Sequence, residues 1–82
     1  MAPDQPVLMS KLPRVSGEKV KKALEKAGFV KMSQKGSHVK LKHADGRIVI
    51  VPMHPELKKG TLRSILRQAK LSVEQLNELL KQ

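Results

Sequence analysis

The first regular pattern of apolar and polar positions begins after Ser16 and predicts an amphipathic helix. Apolar residues recur there with the i, i+3, i+4, i+7 spacing of one buried helical stripe: Val20, Ala23, Leu24 and Ala27. Ser16 is a suitable N-cap, and Val15 with Val20 fits the two positions of a hydrophobic staple. Gly28 can adopt the left-handed conformation that ends many helices, so the helix is predicted to stop there.

Three short runs with strand character follow, at residues 29–34, 38–43 and 47–51. Turn sequences separate them at 35–37 and at 44–46, where Asp-Gly is a strong hairpin signal. In the second run, successive side chains alternate between apolar and polar. Val39 and Leu41 are predicted to point to one side of the sheet, and His38, Lys40 and Lys42 to the other.

The third run is apolar on both faces, through Ile48, Val49, Ile50 and Val51. A sheet that is covered by helices on one side needs only one apolar face. The second apolar pair therefore indicates either a surface for a partner or a strand covered by the following loop. We expect the exposed pair to be Val49 and Val51.

Two helices complete the pattern after residues 52–55, where two prolines interrupt the third strand. Residues 59–71 carry an apolar stripe at helical spacing, and Ser72 with Gln75 forms a capping box for a last short helix. The order is α-β-β-β-α-α, which predicts an α+β domain with a three-stranded antiparallel sheet backed by helices. Residues 1–12 lack periodicity and are predicted to be a flexible tail, followed by one domain at 13–82.

The net positive charge of the chain indicates its class of function more clearly than its length does. The chain has 82 residues, enough for one domain, and a net charge of +10. Ten basic and two acidic residues lie within 31–70, so the positive charge is concentrated there. Such a field attracts polyanions, of which nucleic acid is the commonest, although solubility alone is an alternative. Phe29 is the single aromatic residue, which argues against base stacking on aromatic side chains.

Composition also limits cofactors and location. Cysteine is absent, which excludes disulfides and thiolate metal sites and fits a cytoplasmic protein. His38, His43 and His54 lack the spacing of a structural zinc site, and no glycine-rich phosphate loop is present. We therefore expect no metal and no cofactor. No apolar run is long enough to cross a membrane, so no membrane partner is expected.

His38 is the candidate for chemistry. It begins the second strand and shares a face with Lys40 and Lys42. An imidazole can take or give a proton near neutral pH, while cationic neighbours hold a phosphodiester. RNA supplies its own nucleophile, the 2′-hydroxyl, so a single well-placed histidine could support cleavage. A surface histidine in a basic protein is more often incidental, and the local pattern leaves both interpretations open.

Three ordered motifs decide between them. Gly36–His38 comes after the first strand, Val51–His54 covers the end of the third strand and the start of the next loop, and Lys58–Ala69 (KKGTLRSILRQA) covers most of the next helix. Gly28-Phe29 closes the first helix. Together they resemble the HicA (YcfA-like) toxin family from about Leu12 to Leu80. The resemblance implies a double-stranded-RNA-binding-like fold. It also implies a metal-independent endoribonuclease that cleaves mRNA, with a HicB-type antitoxin as its protein partner.

The resemblance assigns the catalytic role to His38 and makes His54 a possible accessory residue. The residues expected to contact RNA are Lys35, Gly36, Ser37, Lys40, Lys42, Lys58, Lys59 and Arg63. Among these, the two lysines before the predicted helix at 59–71 could hold a phosphate with its N-terminus, or could simply be a solvated loop. His43 is expected to be an exposed strand end. The chain departs from the family pattern at two places. Val39 stands where many relatives carry a polar residue, and the segment before Leu12 is longer than in most members of the family.

Two other classes of function remain open from sequence. The first is an RNA-binding module that does not cut, which would have no need of an ionisable imidazole at residue 38. The second is an interaction protein whose apolar third strand binds an acidic partner. Salt-dependent binding to bare RNA would favour the ribonuclease and the RNA-binding module over this last class.

Overall fold

The computed structural model describes residues 11–82. Six elements follow one another in the predicted order: α1 (Gly17–Lys26), β1 (Phe29–Lys35), β2 (His38–His43), β3 (Ile48–Pro52), α2 (Lys59–Ala69) and α3 (Val73–Lys81). The α+β fold with one antiparallel sheet is confirmed. Most of the predicted tail lies outside the described residues, and Leu12 packs against the core. No helix within 11–82 is long and apolar enough to span a membrane.

Local capping explains where two of the helices start. The Ser16 side chain accepts a hydrogen bond from the backbone N–H of Lys19, 3.1 Å away, at the start of α1. Ser72 and Gln75 exchange the two hydrogen bonds of a capping box at the start of α3. Both caps are the ones that the sequence predicts. The first residues of α2 have no side-chain cap.

The sheet has the order β1-β2-β3, with β2 in the centre. Its inner face packs against the helices and supplies five buried core residues: Phe29, Val39, Leu41, Val49 and Val51. The helices contribute the predicted stripes of α1 and α2 and Leu76 of α3, and the segments before α1 and α2 add Val15 and Leu57. The fold therefore has two layers, with the helices on one side of the sheet and the other side open.

The expectation that Val49 and Val51 form the exposed pair is wrong. Both are fully buried, whereas Ile48 and Ile50 are 43% and 39% exposed. The reason is the register between β2 and β3, in which Val39 pairs with Val51 and Leu41 with Val49. Because side chains of directly paired residues lie on the same face, the two valines follow the apolar side of β2 into the core.

Four element boundaries differ from the prediction by one or two residues. Two strands end one residue later than predicted, β1 at Lys35 and β3 at Pro52. The third strand starts at Ile48, because the Arg47 side chain folds back to the Asp45 carboxylate. The helix α2 ends at Ala69, because Lys70 adopts a left-handed conformation with φ of 57°. The N–H of the next residue then donates to the carbonyl of Leu66, 3.0 Å away, which closes the helix end.

His43 is half-buried and has a structural role, so its prediction as an exposed strand end is wrong. Its ring packs edge-on against Phe29, with 5.1 Å between the ring centroids. The backbone N–H of Asp45 donates to its Nδ1 at 3.1 Å. The guanidinium group of Arg47 lies over the ring of Phe29, 5.1 Å from its centroid. The same group donates a hydrogen bond to the backbone carbonyl of Ala69. These contacts fasten the β2–β3 turn to the end of α2.

Candidate nucleic-acid interface

The side of the sheet that faces away from the helices is open, and we call it the outer sheet face. Three rows of cross-strand partners cross it: Val30–Lys42–Ile48, Ser33–Lys40–Ile50 and Lys35–His38–Pro52. Met32 occupies a bulge in β1 beside the second row. Val30 and Met32 are 61% and 57% exposed, so this face combines apolar side chains with lysines.

His38 occupies the third row, at the start of β2. Its Cα partners are Lys35 on one side and Pro52 on the other, which confirms that it shares a face with Lys40 and Lys42. Residue 38 is exposed. Among residues 11–82, no side chain forms a hydrogen bond or ion pair with its imidazole, so the ring is available to a ligand.

Lys35 lies directly across from His38, and Lys40 and Lys42 follow on the same face of β2, two and four residues along the strand. All three lysines are exposed. None of them forms an ion pair within the described part of the chain. Their positive charge is therefore not neutralised locally and remains available to an anion. Gly36 begins the turn next to His38 with φ of +60°, and a Cβ at this glycine would meet nothing within 4 Å. The backbone of this turn is thus open to close approach.

The loop after β3 is held firmly beside the start of β2. The N–H of Met53 donates to the carbonyl of Ser37 at 2.6 Å, and the N–H of Gly17 donates to the carbonyl of His54 at 2.9 Å. The N–H of Leu57 then donates to the carbonyl of Val15. A Cβ on residue 17 would lie 1.9 Å from the carbonyl oxygen of residue 52, so only glycine fits this contact between α1 and the loop.

The predicted phosphate cradle at the start of α2 is solvent-exposed. Lys58 is the N-cap residue and makes no capping hydrogen bond, and the first turn contains no acidic residue. In contrast, α1 and α3 each have a serine cap and a glutamate in the first turn. Gly60 has open space where a Cβ would stand, so the backbone N–H groups of this turn can be approached from solvent.

The predicted site residues form two groups. His38, Lys40 and Lys42 lie together on the outer sheet face beside the turn of residues 35–37. Lys58, Lys59 and Arg63 lie at the start of α2, at the far end of the loop that follows β3. The side chain of His54 is exposed on this loop, and its backbone carbonyl fastens the loop to α1.

Sequence reasoning missed two cations near the second group. These are Lys11 and Arg14, which both lie in the segment before α1. They border a cleft that is also lined by Lys59 and Arg63. Lys11 fell within the predicted tail, and Arg14 belongs to no motif. Both lie outside residues 31–70, where the positive charge is concentrated in the sequence, so only the high net charge of the chain pointed to them, and it could not show which basic residues meet in space.

Two observations limit the chemistry of other polar groups. Within residues 11–82, no three histidine, aspartate or glutamate side chains converge to form a metal site. The hydrogen bonds from Arg47 lower the pKa of Asp45, which stabilises this carboxylate in its charged form beside the β2–β3 turn. Asp45 and Arg47 therefore satisfy one another and are not free to contact a ligand.

Comparison with known proteins adds one match. Residues 17–71 match the family described as the HicA toxin of bacterial toxin–antitoxin systems. The matched region runs from the first residue of α1 to just beyond α2, and it includes the outer sheet face and the start of α2. Comparison with curated proteins gives no match.

Proposed function

The chain belongs to the family of HicA toxins of bacterial toxin–antitoxin systems, and from this premise we propose that it is an endoribonuclease that cleaves mRNA with His38. The observation that carries the proposal is the position of this exposed imidazole in a row with Lys35, on the face that also presents Lys40 and Lys42. An mRNA-cleaving role would place its site of action in the cytoplasm.

The proposed reaction uses the 2′-hydroxyl of the RNA as the nucleophile. The 2′-oxygen forms a bond to the adjacent phosphorus, and the bond from phosphorus to the 5′-oxygen of the next nucleotide breaks. The 2′-hydroxyl loses its proton to a base, and the departing 5′-oxygen gains one from an acid. His38 acts as that base or that acid, since an imidazole can perform either transfer near neutral pH. The products are a 2′,3′-cyclic phosphate and a 5′-hydroxyl.

The lysines around His38 are proposed to stabilise the phosphate during this reaction. Negative charge increases on the non-bridging oxygens as the fifth bond to phosphorus forms, and a cation beside them lowers the energy of the transition state. Lys35 is the closest candidate in register, because it pairs directly with His38 across the strands. The exposed backbone at Gly36 and Ser37 would let the RNA chain approach the same point.

A second contact is proposed at the start of α2. Lys58, Lys59 and Arg63 would bind the sugar–phosphate backbone away from the cut position. The exposed backbone N–H groups of the first turn and the helix dipole favour an anion there. The absence of a side-chain cap and of acidic residues in this turn supports this role.

The antitoxin partner is proposed to cover the outer sheet face. Four large apolar side chains are exposed there, Val30, Met32, Ile48 and Ile50, and two lysines lie between them in the register. A HicB-type antitoxin with apolar side chains flanked by carboxylates would match this arrangement. Bound in this way, it would also cover His38 and prevent access of RNA.

The alternative is a module that binds RNA without cutting it. One observation favours it: within the described residues, no side chain forms a hydrogen bond that would orient the His38 imidazole. The two functions share the cationic surface and differ only in the need for an ionisable group at residue 38.

The decisive experiment compares His38→Ala and His38→Asn with the unchanged protein on a defined RNA, with the RNA ends mapped. General acid–base catalysis contributes about 10² to 10⁴-fold, so both variants are expected to cut at least about 10²-fold more slowly. Binding of RNA and thermal unfolding should change little, because the side chain is exposed. His54→Ala is the matched comparison, since it removes the other exposed histidine. A larger loss in that variant would move the chemistry to residue 54, and an unchanged protein that binds RNA without cutting it would establish the binding module.

A further inference from the structure

A cleft of about 610 Å³ lies between the segment that precedes α1 and the start of α2. Six residues line it: Lys11, Leu12, Arg14, Lys59, Arg63 and Val73. Four of them are cationic and none is acidic. The cleft therefore brings together positive charge from two segments that are far apart in the sequence, 11–14 and 59–63.

The cationic side chains of this cleft are not engaged elsewhere. None of the four forms an ion pair within residues 11–82, although five ion pairs occur at other positions in that range. Like charges around one cleft repel each other, and a bound anion removes that repulsion. The arrangement is thus unfavourable by itself and favourable when a polyanion is present.

The segment that contributes Lys11 and Arg14 is held in place by the fold. Leu12 packs against the hydrophobic core, and the carbonyl of Val15 accepts a hydrogen bond from the N–H of Leu57 at 2.9 Å. This bond ties the residue after Arg14 to the residue before Lys58. The backbone segments that carry the cations on the two sides of the cleft are therefore fixed relative to each other.

A second, smaller cleft continues the first. It has a volume of about 180 Å³, shares Arg14 with the larger cleft and is also lined by Lys19, Pro55 and Glu56. Pro55 directly follows His54 in the loop that leads back to β3 and to the row of His38. In the smaller cleft two cations, Arg14 and Lys19, outnumber the single carboxylate of Glu56, so net positive charge continues past Arg14 to the loop that follows β3.

We propose that this pair of clefts binds the sugar–phosphate backbone of the RNA strand, with Lys11 and Arg14 contacting phosphates in addition to Lys59 and Arg63. The inference rests on the proposed ribonuclease function and extends its substrate surface to residues that precede α1. An acidic protein segment is the less favoured ligand. The exposed large apolar side chains of the described structure lie on the sheet strands, whereas the apolar residues that line the larger cleft, Leu12 and Val73, are partly buried against the core and are weaker anchors for a protein partner.

The test measures the binding of a single-stranded RNA as a function of salt. The parent is the full chain with His38→Ala, which keeps the RNA intact, and the variant adds Lys11→Gln and Arg14→Gln. A matched control adds Lys70→Asn and Lys81→Ala, which remove the same charge outside the clefts. Asparagine tolerates the left-handed backbone of residue 70. Each phosphate contact on a single strand contributes about 0.7 to the slope of log K against log salt concentration. The cleft variant should therefore lose up to about 1.4 of this slope, and the control should keep it.

The outcomes separate this inference from the proposed function. If the parent binds RNA but the slope of the cleft variant equals that of the control, the cleft inference is overturned and the ribonuclease proposal stands. If the unchanged protein binds RNA with the predicted slopes but cuts none, the cleft inference stands and the ribonuclease proposal fails. If the cleft variant keeps its RNA slope but loses affinity for an acidic antitoxin, the clefts bind protein and the inference is overturned. A parent that does not bind RNA refutes both.

Discussion

Gly17→Ala tests the contact that positions the loop beside the proposed site. Residue 17 is the first residue of α1, where alanine ordinarily stabilises a helix relative to glycine by roughly 0.5–1 kcal/mol. The structure predicts the opposite sign. The new Cβ would lie 1.9 Å from the carbonyl oxygen of Pro52 and 3.0 Å from the Cα of Met53. Both are backbone atoms, so no side-chain rotation can relieve the overlap.

The size of the effect follows from the movement required. Cβ contacts below 3.0 Å essentially never occur, so α1 and the loop must separate by at least about 1.1 Å. Overpacking of this kind costs about 1–3 kcal/mol. The hydrogen bond from the N–H of Gly17 to the carbonyl of His54, now 2.9 Å long, would be lost at a cost of about 0.5–1.5 kcal/mol. After subtraction of the helix preference for alanine, the net loss in the free energy of unfolding spans about 0.5–4 kcal/mol, with a midpoint of about 2 kcal/mol.

Urea and thermal denaturation of the purified variant measure this loss. For a domain of this size, 1 kcal/mol corresponds to about 4–8 °C, so a loss of about 2 kcal/mol should lower Tm by about 8–16 °C. Gly60→Ala is the matched control, because a Cβ at this helical glycine meets nothing within 4 Å. It should be neutral or stabilising by about 0.4–1 kcal/mol. If Gly17→Ala is as stable as Gly60→Ala, the close approach of α1 to the loop is refuted.

Three further predictions concern function. Replacement of Lys58 and Lys59 with alanine should weaken RNA binding across sequences and reduce the salt slope by up to about 1.4 for single-stranded RNA, whereas an unchanged slope would place the phosphate contact elsewhere. The double variant Ile48→Ser, Ile50→Ser should bind the antitoxin more weakly in a calorimetric titration, with little loss of stability because both side chains are partly exposed. An unchanged affinity would locate the antitoxin on another surface. Cleavage should continue in EDTA and stop on RNA with a 2′-deoxy nucleotide at the cut position, and a requirement for Mg²⁺ would contradict the proposed mechanism.

Much of the fold is predictable from the sequence because its signals are local. The serine caps and the apolar stripe of α1 and α3 act within a few residues, so their helices start where the pattern indicates. In β2, apolar and polar residues alternate without ambiguity. This alternation is sufficient to place His38, Lys40 and Lys42 on one face before any partner strand is known.

Which side chains of β3 point into the core, and which residues lie around His38, depends on contacts between segments that are distant in the chain. Because β3 is apolar on both faces, its own pattern cannot distinguish Val49 and Val51 from Ile48 and Ile50. The register with β2 makes that choice, and it buries the pair that we expected to be exposed.

The same reason applies to the parts of the molecule that no motif marks. Gly17 looks like an ordinary helix residue until Pro52 is brought against it, and Lys11 and Arg14 look like isolated charges until α2 lies beside them. Sequence periodicity records which side chains one element presents to its surroundings. Tertiary packing decides which atoms then lie opposite them, because backbone approach and charge clustering arise only when separate elements meet.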